Sequence, residues 1–199
     1  LIGPFGRWIG DGVGFAAKAA MTGSFAPIGA ALFGFLYAPL VITGIHHTTN
    51  AVDLQLMQSM GGTPIWPLIA LSNIAQASAV VGIILISRKE NEREISVPAA
   101  ISAYLGVTEP AMYGINLKYK FPMLCAMVGS SLAALICGFS GVMANGIGVG
   151  GLPGILSIQP QYWAIYAVAM LVAIVVPVVL TLLVYKRQQA AGKLDLATA

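Results

Sequence analysis

Four stretches of this chain run for 22 to 25 residues without a charged side chain: Ser24–Ile45, Ile65–Ser87, Phe121–Asn145 and Gln161–Tyr185. A helix of about 20 apolar residues crosses the hydrocarbon of a bilayer, so each run is long enough to span. Backbone groups at membrane depth must be satisfied within their own segment, and runs of this length satisfy them as helices. Composition points the same way. The chain is 58% hydrophobic and 9% charged, whereas a soluble domain needs about a quarter charged residues to coat its core. The sequence predicts an all-α membrane protein with about four transmembrane helices, in a chain that reads as one membrane domain over 1–199.

The formal net charge of +3 does not indicate nucleic-acid binding, because the basic residues are scattered and flank apolar runs. The chain opens on "LIGPFGRW", without Met and without a signal-peptide pattern, and is expected to be part of a longer membrane protein. Residues 1–23, with the mixed stretch "RWIGDGVGFAAK", are expected to lie on the membrane surface. Cys125 and Cys137 sit in one apolar run and read as reduced packing residues. In that run Ala126, Ser130, Ala134 and Gly138 recur every four positions, a small-residue face for a neighbouring helix. The run then gives way to "NGIGVGGLPGIL", too rich in Gly and Pro to remain helical. Its Gly146-x-Gly148-x-x-Gly151 matches a dinucleotide fingerprint in letters alone, since no β–α–β unit surrounds it.

Two segments do not fit the spanning pattern: His46–Thr63 and Ile95–Leu117. Basic residues cluster at Arg88, Lys89 and Arg93, at Lys118 and Lys120, and at Lys186, Arg187 and Lys193. The positive-inside rule puts all three clusters in the cytoplasm. Arg93 and Lys118 then share a face, so 95–117 enters and returns as a re-entrant hairpin, with Pro110 and Gly114 at a broken tip. If Arg7 and Lys18 are cytoplasmic too, Ser24–Ile45 ends outside, and 46–63 begins and ends outside as a second hairpin from the opposite face. Residues 186–199 form a cytoplasmic tail. Broken elements that meet near the midplane are a common way to build a transporter's substrate site.

The hairpin 95–117 contains "GVTEPAMYG". Glu109, with Thr108 beside it, has apolar neighbours and no cation in the same run. An intramembrane carboxylate is destabilising by several kcal/mol unless it meets partners or water, and so marks a functional site. The other hairpin opens on "GIHHTTN". His46, His47 and Asn50, with Thr48, Thr49 and Asp53, form a dense polar patch directly after an apolar run. No third or fourth ligand stands at zinc-site spacing. The histidines therefore read as hydrogen-bonding groups of a polar site. Neighbouring side chains point apart on a regular backbone, so one histidine is expected to face the site, with His47 preferred as the deeper in the polar run. No cofactor motif, phosphate loop or nucleophile constellation appears.

"GVTEPAMYGINLKYKFPM" and "PLVITGIHHTTNAVDLQ" resemble the membrane permease domain, enzyme IIC, of the bacterial sugar phosphotransferase system. Within it they look like the glucose–sucrose–trehalose group, and most like its trehalose-specific members, with sucrose and other glucosides close behind. The resemblance covers essentially the whole chain. It implies inward translocation of a disaccharide in the inner membrane. The sugar is phosphorylated by a phosphocysteine on a IIB domain, supplied from phosphoenolpyruvate through HPr and a IIA protein. It implies a homodimer, with this chain as the transport half and the first, dimer-forming helices missing. The family's key glutamate maps onto Glu109 and its hairpin histidine onto His46 or His47. No IIB-type cysteine is present. Two other classes stay open on the residues alone. One is a cation-coupled secondary sugar transporter with Glu109 as its ion site. The other is a non-transporting subunit whose polar groups lock helices together.

Overall fold

The computed structural model describes residues 23–87 and 89–191. The expected surface helix within 1–23, Arg88 and the end of the expected tail, from 192 on, lie outside the described residues, apart from Gly23. Six helices organise the rest: α1 (Ala26–Ile42), α2 (Thr49–Met60), α3 (Ile65–Ile86), α4 (Glu90–Tyr104), α5 (Phe121–Ser140) and α6 (Trp163–Ala190). A helical return segment follows α4, as an α-turn (Glu109–Ala111), a π-turn (Met112–Asn116) and a second α-turn (Leu117–Tyr119). Among the described residues, four helices are long and apolar enough to cross a membrane: Gly23–Ile42, Ile65–Ile86, Phe121–Ser140 and Pro160–Ala190. They fall on the four uncharged runs. The third ends earlier than the run does, at Ser140, where Gly141 adopts a left-handed conformation that glycine tolerates without penalty.

α3 is the buried centre, with Leu71, Ile74, Ala75, Ala79 and Val80 all fully enclosed. The small-residue stripe of α5 is the surface on which α1 lies. A methyl group on Gly34 would stand 2.7 Å from the Ala134 Cβ, and at the other end Gly138 abuts Pro27. The two helices therefore run antiparallel and close together. α6 is antiparallel to α5, since Pro177 packs on Gly129. It is parallel to α3, since the Tyr166 hydroxyl donates to the Pro67 carbonyl at 3.2 Å and Gly82 meets Thr181.

Thus α1, α3 and α6 run one way and α5 the other. This corrects the expected topology, in which the run 24–45 ends on the face where 65–87 begins. α2 makes the return. A cavity of about 290 Å³ is lined by Gly23, Ala26 and Ala30 together with Met60, Pro64 and Leu68, so the end of α2 comes back to the start of α1. The hairpin is therefore α1 with α2, closed at 43–48, rather than 46–63 alone. α2 is short, ~18 Å at 1.5 Å per residue, and polar on one side, so hydropathy does not register it as a crossing element.

The second hairpin also differs from expectation in detail. The charged residues from Glu90 on open α4, with Glu90 and Glu92 in its first turn, where a helix N-terminus favours carboxylates. The break lies at 105–108, ahead of Pro110 and Gly114. Pro110 stands in the first turn of the return segment, where a missing N–H removes no helical bond. At the base, Lys118 forms an ion pair with Glu92. Burial raises the Glu92 carboxyl, but hydrogen bonds from Lys118 and Tyr119 outweigh it and hold it below its usual range.

Candidate functional site

The tip of the second hairpin is built by Gly106. Its φ of 102° ends α4, and the Val107 amide then donates back to the Ser102 carbonyl at 3.0 Å. The Ser102 hydroxyl donates to the Val107 carbonyl, also at 3.0 Å. This closed turn delivers Thr108, buried, and Glu109, exposed. The π-turn that follows widens the helix, a feature frequent at functional sites. It is pinned from inside by Asn116, fully buried, whose amide donates to the Gln76 side-chain oxygen at 2.6 Å and the Gln76 carbonyl at 3.1 Å.

The histidines sit on a 3₁₀ turn, Ile45–Thr48, entered through a left-handed Gly44. Their rings lie 4.0 Å apart between centroids, tilted by 38°. They do not point apart: the tight turn brings consecutive side chains together. His46 is the inner ring, part-buried and edge-on to the Tyr37 ring at 6.4 Å. His47 is exposed. His46 is thus the inner of the two rings and His47 the outer. Thr49 closes the turn by donating to the His46 carbonyl at 2.7 Å, and Asn50 is exposed on the first turn of α2.

The two segments converge. The charge of Glu109 acts on both His46 and Tyr37, and that of Asp53 acts on Tyr37. The Tyr113 hydroxyl donates to the Ile42 carbonyl at 3.2 Å, which ties the return segment to the end of α1. Burial lowers the His46 pKa from its ordinary value, the neighbouring His47 lowers it further, and Glu109 pulls in the opposite direction. The two segments therefore bring a carboxyl and an imidazole to the same end of the molecule. Such a pair offers strong acceptors and one donor, suited to a hydroxyl-rich neutral ligand.

Asp53 does not join the exposed patch. It is 0% exposed and accepts from the Thr63 hydroxyl. Sequence reading missed Tyr37 and Tyr113, because each stands inside an apolar context where a tyrosine is ordinary. It also missed the close packing of Gly150 and Gly151 on Asn73, Tyr104 and Gly106, whose signal was the run of glycines itself.

The sequence model of "Phosphotransferase system, EIIC" matches residues 1–130. The chain is 76% identical over 196 residues to the trehalose-specific EIIBC component of the phosphotransferase system of Escherichia coli (strain K12), covering 98% of this chain and 41% of that relative. It is 49% identical over 178 residues to the trehalose-specific EIIBC component of Bacillus subtilis (strain 168), covering 89% and 38%. It is 41% identical over 203 residues to the sucrose-specific EIIBC component of Pasteurella multocida (strain Pm70), covering 95% and 40%. The chain thus spans about two fifths of the length of these relatives. No solved structure matches it. With four membrane-length helices and these relatives, this multi-pass membrane chain belongs to the EIIC family of the phosphotransferase system.

Proposed function

We propose that the protein carries trehalose inward across the bacterial inner membrane and presents it to a IIB domain for phosphorylation. One observation supports the site assignment: the Tyr113 hydroxyl donates to the Ile42 carbonyl at 3.2 Å, which brings the return segment that begins at Glu109 against the helix end that leads to His46. The substrate class rests on the likeness to trehalose-specific relatives. Every Lys and Arg among the described residues lies at 89–93, 118–120 or 186–187, the end of the molecule where α3 and α6 finish. With that end in the cytoplasm, the hairpin of α4 and the return segment enters from inside, and the α1–α2 pair enters from outside.

A disaccharide is neutral and rich in hydroxyls. The Glu109 carboxylate accepts two of them in charge-assisted bonds, roughly twice as strong as neutral ones, and His46 contributes a further hydrogen bond. Thr108, Asn50 and His47 line the approach. Held this way, the 6-hydroxyl faces a phosphoryl donor arriving from the cytoplasm. Positioning supplies most of the rate, and Glu109 can take up the hydroxyl proton. Cys125 and Cys137 are buried, so the phosphocysteine belongs to a IIB domain, charged through HPr and a IIA protein. The working unit is a homodimer.

Membrane vesicles containing the protein, given IIA, IIB, HPr and phosphoenolpyruvate, are expected to convert labelled trehalose to trehalose phosphate. Accumulation of free trehalose driven by an ion gradient would instead establish the cation-coupled reading.

A further inference from the structure

The connection between α5 and α6 touches both site-bearing hairpins. At one point Ala144 and Thr63 exchange backbone hydrogen bonds, each 2.9 Å, and Ala144 bridges Ile158 on its other side. The Asn145 amide donates to Ser157 at 2.8 Å and the Gln159 amide to Met143 at 3.0 Å, so the ends of 143–159 are drawn together. Thr63 is fastened in turn to α2. Its hydroxyl donates to the Asp53 carboxylate and accepts the Ile65 amide at 3.1 Å. Asp53, Thr63 and Ala144 are all 0% exposed. A carboxylate buried this deeply persists only when held by a specific partner.

At its middle, the same segment sits on the other hairpin. Gly150 lies against Gly106, whose added methyl group would fall 2.9 Å from the Gly150 Cα. A methyl group on Gly150 would strike the Asn73 amide nitrogen, and one on Gly151 would strike the Tyr104 carbonyl. Asn73 itself donates to the Gly106 carbonyl at 3.4 Å. Two backbones and the Asn73 side chain meet here with no room for another side chain, next to the turn that delivers Glu109.

We propose that residues 143–159 are a strap that fixes the register between the His46 turn and the Glu109 tip, with Asp53 and Gly150 as positioning residues for sugar binding. The strap runs from α2 through Asp53, Thr63 and Ala144 to Gly150, and from there through Gly106 to Glu109. It rests on the reading of Glu109 and His46 as the sugar site.

The test separates the two claims. Nitroxide labels at Leu54→Cys on α2 and Val107→Cys at the tip, both exposed, report the register in membranes without sugar. The strap is opened in the folded protein by a protease-sensitive insert between Ile147 and Gly148, and tightened upon in Gly150→Ala. Cleavage, compared with the same protein uncut, is expected to broaden the label distance and weaken trehalose binding at least tenfold. Gly150→Ala shifts the distance and raises KM more than it lowers kcat. An unchanged distance after cleavage overturns the strap. A changed distance with unchanged trehalose affinity overturns the sugar-site reading beneath it.

Discussion

The Tyr113 hydroxyl reaches the Ile42 carbonyl at 3.2 Å across 71 residues of sequence. It joins the return segment that starts at Glu109 to the helix end that leads into the histidines. The contact places the carboxylate near the imidazoles without engaging either, since the donor and the acceptor belong to neighbouring groups. Glu109 is thus left exposed, with its oxygens available to ligand.

Glu109→Gln tests this directly. The side chain is exposed, so the variant is expected in the membrane at the level of the native protein. One hydrogen bond to a charged group contributes roughly 1.5–3 kcal/mol, so trehalose binding falls about ten- to a hundredfold and uptake nearly ceases. Calorimetric titration of the purified protein measures it, and native affinity at equal expression would remove Glu109 from the site.

The four spans were legible because their signal is local: Ile65–Ser87 is uncharged over its whole length and mainly apolar, and only a helix accommodates that in a bilayer. Glu109 stands out for the same reason, as a charge in an apolar setting. The direction of α1 was not. It depends on α2, whose Thr49, Asn50 and Asp53 hide a returning helix beneath a polar surface, and on Arg7 and Lys18, whose charges alone set the expected orientation. Asp53 looked like a member of the polar site, because a sequence does not show that Thr63 folds back to cover it. The histidine pair defeated the rule of diverging neighbours because Gly44 opens a 3₁₀ turn, which a pattern of periodicities does not encode.

The base of the second hairpin supplies a topological prediction. Glu92 and Lys118 form an ion pair, so Asn91 and Lys118 emerge together. Cysteines placed at either position are expected to resist a membrane-impermeant reagent in intact cells and to react in inverted vesicles. Modification of one position but not the other in intact cells would break the hairpin arrangement. Lys118→Cys removes a partly exposed ion pair worth about 0–1 kcal/mol, too little to disturb the fold.

Asp53 gives a prediction in stability. It is fully buried and accepts the Thr63 hydroxyl, so its loss leaves a buried donor unpaired, which is destabilising by about 1–3 kcal/mol. Asp53→Ala is expected to melt in detergent well below the native protein, and Asp53→Asn, which keeps an acceptor for Thr63, to melt between the two. Equal melting of Asp53→Ala and the native protein would mean that this bond does not hold α2 in place.

The histidines separate by depth. His46 is packed on Tyr37 and feels Glu109, whereas His47 is exposed. Loss of one neutral hydrogen bond is worth about 0.5–1.5 kcal/mol, so His46→Ala should bind trehalose about two- to twelvefold more weakly and His47→Ala within twofold of native. The acid side distinguishes contact from scaffold. Burial holds the His46 pKa below the ordinary ~6.5, so the ring is neutral at pH 7 and gains its charge only as the pH falls further. The imidazolium then pairs with the Glu109 carboxylate and withdraws it from the sugar. Native binding is expected to be flat from pH ~8 down to ~6.5 and to weaken below, a loss that His47→Ala retains and His46→Ala lacks. Calorimetry across that range reads both effects. A native pH dependence that survives His46→Ala, or a loss of affinity confined to His47→Ala, would assign the contact to the outer ring.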